Sequence, residues 1–163
     1  MLIFAHIGWG KPVEINPRNF KGRISTSAAE AIVSAAGPIM NFILSLVFSL
    51  IFAALVKFVP AIWTIANGIV ATIILDIIII NIGLGVFNLI PVPPLDGSKV
   101  LRHFLPANAR QWFDKNQRIF YYVFIVMWIS GLASSITMPI TQIIAKGIML
   151  IVSNLLGINL VII

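Results

Sequence analysis

Phe87-Asn88-Leu89-Ile90-Pro91-Val92-Pro93-Pro94-Leu95-Asp96-Gly97 closes a long apolar run and decides how this chain is built. Three prolines in four positions, Pro91, Pro93 and Pro94, remove amide donors and forbid regular helix. Irregular backbone at membrane depth is tolerated only where protein or a water-filled cavity surrounds it, so a spanning helix unwinds here into a polar setting. Asp96 follows at once, and Gly97 allows backbone conformations or a close approach that a side chain would obstruct. An ionisable residue beside a broken helix points to metal ligation or proton transfer. The same residues also fit a purely structural role, with Asp96 as the N-cap of a helix beginning Gly97-Ser98-Lys99 and the prolines as a stop signal. On the residues alone both readings stay open.

The rest of the chain has a membrane composition. Its 163 residues are 60% hydrophobic and 10% charged, with a mean hydropathy of +1.05, whereas an average soluble domain is about 25% charged. An ordinary soluble protein is excluded. Cysteine is absent, which removes disulfides, thiolate zinc sites and a cysteine nucleophile. Eleven Lys and Arg against five Asp and Glu give a net charge of +6. These cations lie between apolar runs, where they act as topology signals, and no nucleic-acid partner is expected. The opening MLIFAHIGWG has neither a basic n-region nor a small-residue cleavage pattern, so it does not read as a secretory signal peptide. No internal repeat is visible.

Crossing a bilayer takes about 20 mostly apolar residues in a helix. Four stretches are expected to do so. Residues 29–58 carry Ser34, Asn41, Ser45 and Ser49 as polar insertions, and 62–90 hold Asp76. Residues 119–136 and 140–163 are divided at Met138-Pro139, and the last contains Lys146. Lys11, Arg18, Lys21 and Arg23 collect before the first span, and Lys99, Arg102, Arg110, Lys115 and Arg118 between the second and third. Cytoplasmic loops gather such residues, so both clusters are expected on the cytoplasmic face, with the Lys57 turn and the Pro139 turn on the other. The expected fold is a single all-α membrane domain over 1–163 with about four transmembrane helices. Residues 1–28 would form a membrane-associated loop, and 97–118 a basic cytoplasmic segment.

FNLIPVPPLDGSKVL, from Phe87 to Leu101, resembles the asparagine-proline-aspartate-glycine signature of the site-2 protease family of intramembrane zinc metallopeptidases. Two further stretches fit in the family's order. GWGKPVEINPRNF, Gly8 to Phe20, looks like its short re-entrant loop or β-hairpin, and AAGPIMN, Ala35 to Asn41, is similar to the Gly-Pro-x-x-Asn that opens its next core helix. The resemblance implies that Asp96 is the third protein ligand of a catalytic zinc, beside two histidines and an open position for water. It implies that Asn88 is catalytic, binding the substrate backbone or a developing oxyanion. Pro91 and Gly97 would shape the unwound segment, and the loop from Gly10 to Asn16 would hold a substrate extended. Gly10, Asn16, Asn88 and Pro91 are thus the substrate-binding candidates. The substrates implied are transmembrane or membrane-anchored proteins, in contact with the lipid bilayer.

The family's other ligands and its general base come from a His-Glu-x-x-His helix, whose i, i+4 spacing puts both imidazoles on one face. This sequence has no such motif: its histidines are His6 and His103, and neither Glu14 nor Glu30 has a histidine beside it. In the family that helix precedes the loop matched by Gly8 to Phe20. The expectation is therefore the C-terminal portion of a site-2 protease, or an inactive relative, without peptide hydrolysis by this chain alone. The alternatives from other classes are a non-catalytic membrane scaffold or substrate-sequestering module and a small ion-coupled transporter. His103, two helical turns past Asp96, cannot share a metal with it on a straight helix and is read as an interfacial residue. Asp76, surrounded by Ile73-Ile74-Leu75 and Ile77-Ile78, is expected in a polar contact inside the bundle. Ser130, Ser134 and Ser135 lie far in sequence from either histidine and support no nucleophile-base pair.

Overall fold

Ser25 starts the first helix by accepting the Ala28 amide on its Oγ at 3.3 Å, which satisfies one of the donors a helix leaves unpaired at its start. The computed structural model describes residues 24–158. From Ser25 a 33-residue helix, α1 (Thr26–Phe58), runs to a pair of short 3-10 turns, Pro60–Trp63 and Ile65–Gly68. These return the chain into α2 (Ile69–Asn88). Beyond the proline-rich segment come two short helices, α3 (Asp96–Phe104) and α4 (Ala107–Lys115). The chain then forms α5 (Gln117–Ile129) and α6 (Leu132–Leu156). Every regular element among the described residues is helical, as expected. The hairpin or loop expected before residue 24 lies outside them.

Helices in lipid gain little from burying apolar surface against one another, so close packing has to hold them together. On α1 the buried positions Ala31, Ser34, Pro38, Ser45, Ser49 and Phe52 recur at intervals of three, four or seven. Small side chains on this stripe let the α2 backbone approach. The hydroxyls of Ser45 and Ser49 donate to the carbonyls of Phe42 and Ser45 at 2.8 and 2.7 Å. The serines that read as polar insertions are thus the packing face itself. Below them Phe52, Ile78, Ile82, Ala145 and Met149 form the core where α1, α2 and α6 meet, with the Trp63 ring edge-on to Phe52 at 5.8 Å. Ile32, Ile43, Ile80, Ile143 and Leu150 are exposed on the outer faces, as lipid-facing positions should be.

The third and fourth apolar stretches divide differently from the sequence expectation. Pro139 lies inside α6, and the break falls at Gly131, where φ is +75°. A proline removes one amide donor, which a packed membrane helix tolerates, while a left-handed residue takes the chain out of the helical path altogether. The consequence is topological. Alpha5 has 13 residues, about 20 Å of rise against a hydrocarbon core of about 30 Å. Its end packs at the closing turn of α2, with Trp128 and Phe124 rings 5.4 and 6.3 Å from Phe87. At the other end of the bundle the Lys57 ammonium donates to the Leu156 carbonyl at 2.7 Å, so α6 finishes beside the end of α1. Among the described residues three helices are long and apolar enough to cross a membrane, α1, α2 and α6. The fourth crossing and the far-side turn at Pro139 are not seen among the described residues.

Alpha3 is tied back to the start of α1 by charge. Arg102 donates from Nε and Nη2 to both Asp114 carboxylate oxygens at 2.7 Å, and its Nη1 lies 3.7 Å from Glu30 on α1. His103 meets Ser27 of α1 at 3.2 Å, and Arg110 donates to the His103 and Leu105 carbonyls at 3.1 Å. The hydrogen bond from Arg102 holds the Asp114 carboxyl below the usual carboxylate value, against the opposing effect of burial, and Arg110 adds to it.

Two outcomes are expected. The chain has no cysteine, so single replacements report sidedness with a membrane-impermeant maleimide: Phe58→Cys and Asn154→Cys should label from one face, and Asn108→Cys from the other. Because Asp114 is depressed in the folded state, its contribution is full above its unfolded pKa and is lost as pH falls through the lower folded value. The thermal midpoint should therefore fall modestly below about pH 4, and Asp114→Asn should lack that acid-side loss.

Candidate active site at the unwound segment

Asn88 is the last residue of α2 and Asp96 the first of α3, so the two signature residues flank the proline-rich segment. Every amide in it finds a partner nearby. Leu89 donates to Gly85 and Val86, Ile90 to Phe87, Val92 to Ile90 and Leu95 to Val92, at 2.8 to 3.2 Å. The remaining positions, 91, 93 and 94, are prolines with no N–H to satisfy. The prolines thus do more than stop a helix: they remove the donors that an unwound backbone would otherwise leave unpaired in an apolar surrounding.

The segment folds back on itself at Gly97. A Cβ there would lie 2.7 Å from the Ile90 carbonyl oxygen and would run into the Leu89 carbonyl. Leu95, Gly97 and Ser98 are buried, and Ser98 Oγ donates to the Leu95 carbonyl at 2.6 Å. Leu95, not Asp96, holds the N-cap position, and the helix start has no side-chain cap. The Asp96 carboxylate is left available. Its Oδ1 lies 3.5 Å from Lys99 Nζ, and its side chain is 36% exposed. Its Oδ2 faces α1, 3.8 Å from where a Gly37 Cβ would stand. The start of a helix also favours the charge of a carboxylate in its first turn.

Two stretches that are remote in sequence therefore meet: the Gly37-Pro38 step of α1 and the Asp96-Gly97 step of α3. Pro38 has no amide to offer the Ser34 carbonyl one turn back, and the buried Ser34 hydroxyl has no hydrogen-bond partner among the described residues. The face of α1 that Gly37 shares with Ser34 is thus polar and under-satisfied where it approaches the carboxylate. Asn88 is half-buried at the end of α2, and Pro91 is exposed. Gly10, Asn16 and His6 lie outside the described residues.

The donors at hand do not complete a zinc site. Among the described residues no three His, Cys, Asp or Glu side chains gather where a metal could sit. His103 is turned to Ser27 and stacked edge-on with Phe104 at 5.1 Å. What they offer toward zinc is one accessible carboxylate. Asp76 is exposed on α2, with no hydrogen bond or ion pair among the described residues, in place of the expected bundle contact. Ser130 and Ser135 spend their hydroxyls on the Met127 and Gly131 carbonyls. Sequence reasoning missed Gly37 as the surface facing Asp96 and the Glu30, Arg102 and Asp114 cluster that seats α3. The signal for the second was the opposite charge of Arg102 and Asp114 across the Pro106 turn.

Gly97→Ala should lower unfolding stability by more than about 2 kcal/mol, since the new methyl meets backbone that cannot step aside. Thermal melting in detergent, beside a Gly147→Ala control where no atom lies within 4 Å of the new methyl, checks it.

The profile of Peptidase family M50 matches residues 7–131. The chain is 29% identical over 140 residues to "Putative zinc metalloprotease YwhC" of Bacillus subtilis (strain 168), covering 85% of this chain and 62% of that protein. It thus spans less than two thirds of the length of this relative. No solved structure matches it. The matched residues take in both steps that meet at the carboxylate, Gly37-Pro38 and Asp96-Gly97, and on that match the chain belongs to peptidase family M50, the site-2 protease family.

Proposed function

We propose that this chain is the membrane-embedded portion of an intramembrane zinc metalloprotease of the site-2 type, acting on transmembrane or membrane-anchored protein substrates. The observation that carries the reading is the placement of Asp96: an accessible carboxylate at the broken end of α2, facing Gly37 of α1, on residues inside the family match. Its role is to be one protein ligand of the metal. Because no three candidate ligands gather among the described residues, the reading takes the rest of the metal site from residues outside them.

The surrounding residues suit work on a peptide backbone. A membrane helix hides its amides in its own hydrogen bonds, so a protease must hold the substrate locally extended. Asn88 presents an amide that can both donate to and accept from such a strand. Pro91 and its neighbours keep the wall beside it free of competing N–H groups. Gly10 and Asn16 are proposed to complete the substrate contact from the preceding loop. The basic residues of α3 and α4 orient this end toward the cytoplasm.

The lone carboxylate also suits a non-catalytic scaffold that holds membrane segments without cutting them. Protein extracted from its own membranes separates the two. The protease reading expects bound zinc and cleavage of a reporter transmembrane segment. Asp96→Asn should then lose both, and Asn88→Ala should slow cleavage by about a hundredfold with zinc retained. Native protein that binds no zinc, and still retains the reporter after Asp96→Asn, would establish the scaffold instead.

A further inference from the structure

Beside the unwound segment a cavity of about 440 Å³ opens between α3, α4 and the start of α5. Most of its lining surface is apolar, and Ser98, Lys99, Arg102, Arg118, Tyr121 and Tyr122 are among the residues that bring polar groups to it. Arg102 is engaged by Asp114 and Glu30. Arg118 makes no ion pair among the described residues, and Lys99 is held only at 3.5 Å by Asp96. Two cations and two phenol hydroxyls therefore have donors to offer a ligand.

A second hollow of about 440 Å³, almost wholly apolar, runs along α5 to the start of α6, lined by Tyr122, Val123, Val126, Met127, Leu132 and Ile136. Tyr122 belongs to both. A hollow carrying cations and an oily groove thus share one lining residue, along α5 and the start of α6. Where the apolar face of α1 ends in a cation, Lys57, that ammonium is committed to the Leu156 carbonyl, whereas Arg118 has no ion pair among the described residues.

We propose that this pair of hollows is a binding site for an anionic glycerophospholipid. The phosphate sits in the first hollow with Lys99, Arg118 and the tyrosine hydroxyls, and an acyl chain lies in the groove along Val126 and Ile136. Charge complementarity selects the headgroup, and the continuous apolar groove selects a lipid over a soluble anion or an acidic peptide. The inference is independent of proteolysis: α5, at 13 residues, is shorter than the bilayer's hydrocarbon core, and such a lipid would fill the space beside it.

The test is native mass spectrometry of the full chain released from mixed micelles that contain phosphatidylglycerol and phosphatidylcholine in equal amounts. Wild type should retain phosphatidylglycerol over phosphatidylcholine by about tenfold, as two cations near an anionic headgroup allow. Lys99→Gln with Arg118→Gln should bring the ratio near one, while Lys99→Arg with Arg118→Lys should keep the preference and so separate lost charge from lost fold. Val126→Trp should reduce retention of the lipid by filling the groove. The proposal is overturned if wild type shows no preference, if the glutamine pair keeps it, if Val126→Trp leaves retention unchanged, or if inorganic phosphate at millimolar concentration displaces the lipid.

Discussion

The contact of Gly97 with the Leu89 and Ile90 carbonyls is the constraint on which the arrangement depends. A membrane helix that stops short must return its backbone to hydrogen bonding at once, because the lipid interior offers no water to its free groups. Here seven residues accomplish that between Asn88 and Asp96. Prolines remove three of the donors, local turns satisfy the rest, and the loop closes by laying the start of α3 directly on the end of α2. Closure needs a residue without a side chain at 97. With it, Asp96 is delivered beside α1; without it, the start of α3 must move away from the end of α2, and Asp96 with it.

That delivery has a counterpart on α1. The stripe of Ala31, Ser34, Pro38, Ser45 and Ser49 brings α1 close to its neighbours, and Gly37 lies next to the stripe where α3 arrives. The charge cluster at Glu30, Arg102 and Asp114 then fixes the other end of α3. A nine-residue helix is too short to be stable by propensity alone. It holds its place because one end is fastened by backbone contact and the other by a two-bond arginine-carboxylate pair. The site carboxylate is positioned by a helix that is itself positioned by two unrelated devices.

Most of this was legible in the sequence at the level of elements. The long apolar runs named α1, α2 and the final helix, and the proline cluster named the break between Asn88 and Asp96. The boundary between α5 and α6 was misplaced because Pro139 is the stronger punctuation mark in a sequence, whereas Gly131 is the stronger one in three dimensions. A missing donor costs one hydrogen bond, and a left-handed residue changes the direction of the chain. The alternation of loops rich in Lys and Arg with loops poor in them then favoured four crossings, since the turn at Pro139 has no basic residue to contradict it. The bond from Lys57 to Leu156 is a tertiary fact, 99 residues apart, that no local pattern announces.

The site was legible in its residues and not in its contacts. Asp96 and Gly97 stood out by chemistry beside a helix break, and Gly37-Pro38 by likeness to a motif, but nothing in the sequence said that the second faces the first. A Cβ at 37 would come within ordinary contact of one Asp96 oxygen, so glycine there leaves that oxygen more room, while Lys99, one turn along α3, lies near the other. Lysine is a flexible point charge on a long stem and can withdraw without disturbing the helix, which a bidentate arginine pair like that of Arg102 could not do as readily. The carboxylate that the family likeness assigns to a metal is thus paired with an easily displaced partner, and the arginine that holds the fold stands six residues further along α3.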